Sequence, residues 1–386
     1  MPEEFLARSF RRIVVKLGTG ILTDAEGGVD RARISSICRE VDDARKAGVD
    51  VCVVSSGAVG LGMKHLGFSR RPTDLPTLQS CAAVGQSILT QTWQECMDPF
   101  GHKVAQILLT REDLRGRRRH VAVKDTMERL FALGVVPIVN ENDCLSTEEI
   151  RFGDNDVLSA LVSSLIKADL LFILSTAPGL LNLDTGELQP VIRSITPEIE
   201  AMARGTNSPT AVGGMVTKIR AARIANRSGC GVIIGSGTNP KLLRRFSGTD
   251  VSGTLFLPGE ETLTSRKRWL AFFDRPTGWI QIDAGATEAV CEKGTSLLAS
   301  GVTSCGGKFE EGSVIEIRDE DDHTFAHGVI AYSPEELNQV SGRRSEELRE
   351  LLPDRKQYEV VHRNELVLLD EVPHFQSESE SETEST

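Results

Sequence analysis

Six short runs of apolar, largely β-branched residues recur through the first 240 residues: Arg12–Leu17 (RIVVKL), Val49–Ser55 (VDVCVVS), Val104–Thr110 (VAQILLT), Val135–Asn140 (VVPIVN), Leu170–Ser175 (LLFILS) and Gly231–Gly235 (GVIIG). None alternates apolar with polar, as a strand with one wet face does. They suit strands buried on both faces of a parallel sheet. Helical stretches are expected between them, at 31–47, 77–97, 120–133, 155–168 and 215–228. In the fourth, Val157, Leu158, Leu161, Val162 and Leu165 fall on one face. This alternation of strand and helix predicts an α/β fold, an α/β/α sandwich with a mainly parallel sheet, over residues 1–258.

The pattern changes over 259–276, where RKRW (Arg266–Trp269) leads to RPTG (Arg275–Gly278), and a linker is expected there. Beyond it, Trp279–Asp283, Val314–Arg318, His327–Tyr332 and Tyr358–Val361 read as short strands separated by turn signals. They predict a small β-rich domain over 277–366. Residues 367–386, ending in SESESETEST, are expected to form an acidic disordered tail.

Charge is divided along the same line. The chain of 386 residues carries a formal charge of −11. From Thr277 onward there are 9 Lys and Arg against 24 Asp and Glu, whereas the first 276 residues hold 35 against 31. A nucleic-acid surface needs a basic footprint, so the acidic final third speaks against one. The basic cluster Arg115–His120 has no flanking aromatic for base stacking and reads as a solvated loop or subunit contact. No apolar run approaches the roughly 20 residues of a membrane span. The eight cysteines are scattered without a CxxC pair, which suits small buried hydrophobes in a reducing cytoplasm.

In an open α/β sheet the ligand site lies beyond the carboxyl ends of the strands, so the polar residues there matter most. The first strand ends in Lys16-Leu17-Gly18-Thr19-Gly20. Small residues let backbone N–H groups approach an anion, and Lys16 adds positive charge; a plain structural turn is the alternative. The spacing is neither GxxxxGK[ST] nor GxGxxG. The second strand ends in SSGAVGLG (Ser55–Gly62), which reads either as an anion cradle or as tight helix packing. The fourth ends in NEND (Asn140–Asp143), and GDND (Gly153–Asp156) follows ten residues later. So many polar side chains at one strand end are costly to bury without a polar ligand. Carboxamide with carboxylate suits an α-amino acid, whose ammonium needs acceptors and whose carboxylate needs donors. A helix N-cap explains one of these residues but not both clusters. Finally, GGMVTK (Gly213–Lys218) opens a helix in a way that suits a phosphate beside backbone N–H groups.

These motifs in this order, with VVKLGTG, AAVGQ (82–86), LLTRED (108–113), VVPIVNENDC and FGDNDVLSALV, resemble the glutamate 5-kinases of the amino-acid kinase family. The resemblance runs to about residue 366 and implies the amino-acid kinase fold followed by a PUA-like domain. The implied reaction is ATP-dependent phosphorylation of the γ-carboxylate of L-glutamate, with Mg²⁺ carried on the ATP phosphates and no protein residue assigned to the metal. By the same resemblance Lys16 and Lys218 act on the phosphoryl group and Asp156 holds them, while Ser56, Asp143 and Asn155 bind glutamate. ATP contacts are implied at Lys16, Gly18, Ser175, Thr176, Gly213, Gly214, Met215, Val216, Thr217 and Lys218. Feedback inhibition by proline and a homo-oligomer, dimer or tetramer, are also implied. One departure concerns the nucleotide: where such enzymes often carry Thr-Asp and then Gly-Leu-Tyr, this chain has Ser175-Thr176-Ala177-Pro178-Gly179-Leu180-Leu181. Two alternatives remain, an acyl-phosphate kinase for another acid and a regulatory RNA-binding protein that keeps the fold.

Overall fold

A computed structural model describes residues 2–6, 8–24, 26–115, 117–145, 155–183, 185–204, 214–238, 253–259, 267, 270, 276–352, 355 and 358–369. The chain divides into two compact units, Met1–Leu263 and Thr264–Thr386. The linker expected over 259–276 falls largely outside the described residues.

The first unit is built on an eight-stranded sheet. In chain order the strands are β1 Arg12–Leu17, β2 Asp50–Ser55, β3 Val104–Leu109, β4 Val136–Glu141, β5 Leu170–Ser175, β6 Val191–Ile192, β7 Gly231–Ser236 and β8 Thr254–Phe256. Their order across the sheet is β3-β4-β2-β1-β5-β7-β8-β6. All pairings are parallel except β7 with β8. The six strands expected from the apolar runs are all present, and the five expected helices form at Arg31–Lys46, Leu75–Met97, Arg117–Ala132, Asn155–Leu165 and Met215–Arg227. The short strands β8 and β6, the last two at one end of the sheet, were not anticipated. From β1 the chain first fills the β2 side of the sheet and, after β4, crosses to the β5 side. The carboxyl end of β1 is therefore a topological switch point, where a crevice opens between diverging connections.

Strand periodicity decides which residues face which layer. Ile13, Val15 and Leu17 of β1 join Val51 and Val53 of β2, Leu170, Phe172 and Leu174 of β5, and helix residues Ile34, Ile37, Val41, Leu89 and Trp93 in one core. Arg12, Val14 and Lys16 must then point to the opposite face. There the Arg12 guanidinium donates to the Ile166 carbonyl at 2.5 Å and to both oxygens of Glu128, at 2.8 and 3.0 Å.

The Asn155–Leu165 helix corrects one expectation. Rather than burying a single apolar face, it is buried at every position from Asp156 to Leu165. Its serines tolerate this because each has a local partner: Ser159 donates to the Asp156 carbonyl, Ser163 to the Ser159 carbonyl, and Ser164 accepts from Ser228.

The SSGAVGLG segment is part loop and part helix, with Ala58–His65 helical. Gly57 at its start has φ +95°, which requires glycine. Helix Ala58–His65 packs so closely on Leu75–Met97 that a Cβ on Gly62 would lie 1.8 Å from the Cys81 carbonyl oxygen, and one on Gly85 1.7 Å from that of Ala58. The close-packing reading thus holds for Gly62, with a second helix rather than the sheet as its partner.

The second unit is a six-stranded sheet of β9 Gly278–Ile282, β10 Leu297–Leu298, β11 Val302–Gly307, β12 Val314–Arg318, β13 Thr324–Ile330 and β14 Glu359–Leu368. The order is β10-β14-β13-β12-β9-β11, antiparallel except for β12 with β9. Its own core includes Ile280, Ile315, Ile317, Tyr332 and Val360. Val367 and Leu368, assigned to the tail on sequence, complete β14, and the Leu369 N–H donates to the Phe325 carbonyl at 2.6 Å. Residues 370–386 lie outside the described residues.

Replacing Gly85 by Ala should destabilise the first unit by at least about 1–3 kcal/mol, because the new methyl meets backbone on both sides and no rotamer relieves it. The check is the denaturant midpoint at unchanged slope; an unaltered midpoint would show that the two helices can separate freely.

Candidate active site

Lys16 sits one residue before the end of β1, on the face covered by the Asn155–Leu165 helix, and Asp156 lies in that helix's first turn. The Lys16 Nζ lies 2.6 Å from Asp156 Oδ1. Lys218, in the first turn of Met215–Arg227, donates from Nζ to Asp156 Oδ2 at 3.1 Å. Two lysines about two hundred residues apart in sequence therefore meet on one carboxylate. All three are buried: Lys16 is 6% exposed, Asp156 1% and Lys218 7%. The Thr217 hydroxyl lies 2.9 Å from the same Oδ2 and 3.0 Å from the Gly214 carbonyl. Burial lowers the Lys16 pKa, and neighbouring Lys218 pulls it the same way against the opposing effect of Asp156. Burial works against ionisation of Asp156 too, but the two ammonium groups outweigh it and hold the carboxyl below its ordinary range. The cluster carries one net positive charge with limited access to water, a ready place for a phosphoryl group.

Three helices begin at this edge of the sheet. Thr19–Leu22, Ala58–His65 and Met215–Arg227 have Gly18, Gly57 and Gly214 at their N-caps, and in none does a side chain cap the first turn. The Arg31–Lys46 and Leu75–Met97 helices, by contrast, are capped by the carboxylates of Asp30 and Asp74. The Ile21 and Thr217 N–H groups bond back to the Gly18 and Gly214 carbonyls at 2.9 and 3.2 Å, which leaves the N–H groups before them in each turn as the candidates for an anion. These starts are linked in space: a Cβ on Gly18 would lie 3.6 Å from Lys16 Nζ, one on Gly57 3.7 Å from Thr19 Cγ2, and one on Gly20 3.3 Å from Thr176 Cγ2. Among the described residues nothing lies within 4 Å of where a Cβ on Gly214 would stand, and the Met215 side chain beside it is buried whereas Val216 is exposed. Ser175 ends β5, accepting from the Ala177 N–H on its hydroxyl and from Gly237 on its carbonyl. Gly213 lies outside the described residues, as do Gly153 and Asp154 of the GDND motif.

A polar group of a different kind lies across β1, at the ends of β2 and β4. The Asn155 amide donates to Ser56 Oγ at 2.6 Å and to Asn140 Oδ1 at 3.0 Å. Its own Oδ1 is buried and has no hydrogen-bond partner among the described residues. Asn140 is itself buried, and the sequence reading had not singled it out as a binding residue. Asp143 stands on the turn after β4 and bonds to neither Ser56 nor Asn155. Burial drives its carboxyl up, Glu141 adds to the effect and Arg71 only partly offsets it, leaving a pKa of about 7. Two further residues hold these strand ends and carried no signal beyond the AAVGQ motif: Gln86, which donates to the Glu141 carbonyl at 3.3 Å, and Trp93, whose indole N–H donates to Ser55 Oγ at 3.1 Å.

The nucleotide-side departure has a structural counterpart. Leu180 is buried and its N–H donates to Thr254 Oγ1 at 2.8 Å, while Leu181 bridges to Leu188. The Ser175–Leu181 segment is thus tied to β8 by its backbone.

Comparison with known proteins places these features. The amino acid kinase family model matches residues 11–236, and the PUA domain model matches residues 278–352. A glutamate 5-kinase of Geobacter sulfurreducens is 43% identical over 365 residues, covering 93% of this chain and 98% of its own length. A glutamate 5-kinase of Myxococcus xanthus is 43% identical over 368 residues, covering 94% and 97%. Among solved structures, the carbamate kinase from Giardia lamblia bound to AMP-PNP is similar at 19% identity with a TM-score of 0.48, covering 64% of this chain and 98% of that one.

The raised Asp143 carboxyl has a stability consequence with a definite sign. The unfolded chain ionises near the ordinary 3.8 and the folded protein near 7, so stability falls as pH rises between them and the full cost persists above 7. Asp143→Asn removes a charge the fold resists. The variant should melt higher than the parent at pH 8, with the gap closing towards pH 4. A gap independent of pH would show that Asp143 ionises at its ordinary value.

Proposed function

The chain belongs to the amino acid kinase family, in its glutamate 5-kinase branch, and on that premise we propose the following use of the site. The protein phosphorylates the γ-carboxylate of L-glutamate with ATP, giving L-glutamyl 5-phosphate and ADP, the first step of proline biosynthesis. The observation that carries this reading is the pair of lysines on Asp156 lying beside an unsatisfied carboxamide cluster.

The γ-carboxylate is already a nucleophile at neutral pH, so no general base is required. A carboxylate oxygen forms its bond to the γ-phosphorus as the bond to the β,γ-bridging oxygen breaks, and that oxygen leaves with ADP. The protein's part is positioning and charge stabilisation. Lys16 and Lys218 flank the transferring phosphoryl group, and Asp156 fixes where their ammonium groups stand. Ser56, Asn155 and Asp143 hold glutamate, with Asn155 Oδ1 and the Asp143 carboxyl as acceptors for its ammonium. The uncapped first turn at Gly214–Thr217 takes nucleotide phosphate, and Gly18, Ser175 and Thr176 line the same side. Asp156 is engaged by Lys16, Lys218 and Thr217, so Mg²⁺ fits as a passenger on the ATP phosphates with much of its water shell, where it neutralises charge on the transferring group. Proline inhibition and a dimeric or tetrameric assembly belong to the same proposal, on family resemblance. A reducing cytoplasmic setting fits eight cysteines that form no disulfide.

ADP release with ATP, Mg²⁺ and a panel of glutamate, aspartate, N-acetylglutamate and carbamate tests the reading; turnover favouring any acid but glutamate would replace it. Lys218→Ala should remove phosphoryl transfer while the protein still melts cooperatively, and near-normal turnover would sink its assignment. Asp143→Ala should chiefly raise the glutamate KM; a change confined to the ATP KM would move the substrate pocket elsewhere.

A further inference from the structure

We infer that Gln86 is a positioning residue for the amino-acid side of the site, acting through the backbone of Glu141, with the Leu75–Met97 helix as a splint across the ends of β2 and β4. The inference rests on the proposed glutamate kinase reading.

Gln86 is 5% exposed, an amide that must find partners for all its polar atoms. Its Nε2 lies 3.3 Å from the Glu141 carbonyl, and its Oε1 lies 3.2 Å from Gln106 Nε2. The carbonyl of Glu141 can only accept, which fixes the orientation of the amide: Nε2 faces Glu141, and Oε1 is left to accept from Gln106. The Glu141 N–H is in turn bound by Asn140 Oδ1 at 2.9 Å. Both peptide groups flanking Glu141 are thus held by side chains, one of them on a different helix. The next N–H, of Asn142, is taken by the Leu109 carbonyl of β3 at 2.9 Å. Asp143 follows directly, so its position is inherited from this chain of bonds.

The same helix reaches the other half of the pocket. Trp93 lies seven residues after Gln86, on the same helical face, and its indole N–H holds Ser55 Oγ immediately before Ser56. Gly85 brings the helix against the Ala58 carbonyl, which follows Gly57. Ser56 and Asp143 follow paired strands whose last paired residues are Val54 and Val139, and beyond that pair one helix holds both continuations. The nucleotide side, built from β1, β5 and Met215–Arg227, receives no hydrogen bond from Gln86 or Trp93.

That asymmetry gives the test. Steady-state kinetics on the full chain compares the parent, Gln86→Met and Gln106→Ala. Gln86→Met keeps the volume and removes both hydrogen bonds; it should raise the glutamate KM about three- to tenfold, the loss of one to two ordinary hydrogen bonds, with the ATP KM unchanged and kcat within about twofold. Gln106 is exposed, so Gln106→Ala folds whatever happens to the core variant; it frees the Gln86 amide to turn and should raise the glutamate KM by about two- to fivefold. A lowered melting temperature with both KM values unchanged would reduce Gln86 to a core amide and overturn the inference, as would equal rises in both KM values. If Gln86→Met does not fold, an unchanged glutamate KM in Gln106→Ala overturns it. A parent enzyme that fails to phosphorylate glutamate defeats the proposed function itself, and this inference falls with it.

Discussion

Two ammonium groups cannot be buried together in a folded protein without a counter-charge, and the first unit is arranged around the one that supplies it. Asp156 receives Lys16 on one oxygen and Lys218 on the other. Removing the carboxylate would leave two like charges facing each other out of water, the costliest kind of broken ion pair. The end of β1, the start of Asn155–Leu165 and the start of Met215–Arg227 must therefore coincide. Placing Asp156 in a helical first turn adds a favourable interaction with the helix dipole. One formal positive charge is left over, which on the proposed reading meets an anionic phosphoryl group.

How far the sequence announced this depends on the length scale of each signal. The six sheet strands were legible because a strand buried on both faces tolerates nothing but apolar residues, and RIVVKL and LLFILS admit no other element. Lys16 was legible for the converse reason, as a charge at the end of such a run. In Asn155–Leu165 the apolar face was legible but the burial of the rest was not; Ser159 and Ser163 satisfy their hydroxyls on the helix's own backbone and Ser164 accepts from Ser228, so the interior hides them from water at little cost. The meeting of Lys16 and Lys218 was invisible, because no local pattern records contact across two hundred residues. Gln86 and Trp93 were missed as well: a buried amide and a buried indole look like ordinary core until their partners on β2 and β4 are known. In the second unit the two-residue β10 and the polar β11 (VTSCGG) lack any run long enough to show a period.

The charge division along the chain follows the same logic. A unit that takes a nucleotide and an amino diacid works better without a strongly negative field. The acidic residues are instead concentrated in the second unit and the segment beyond it. That unit folds around its own apolar core.

The helix starts carry the most transferable lesson. An N-terminal turn has N–H groups that must be satisfied, and a chain can satisfy them permanently or leave them for a ligand. Asp30 and Asp74 take the first course, each accepting from the N3 amide. Gly18, Gly57 and Gly214 offer no side-chain cap, and each stands at the carboxyl edge near a lysine, a serine or a carboxamide. On the proposed reading, a side-chain cap at any of them would place an oxygen, often a charged one, where the substrate's own oxygens go. Glycine at these three N-caps would then do more than ease a turn: it would keep the protein's own acceptors out of an anion site.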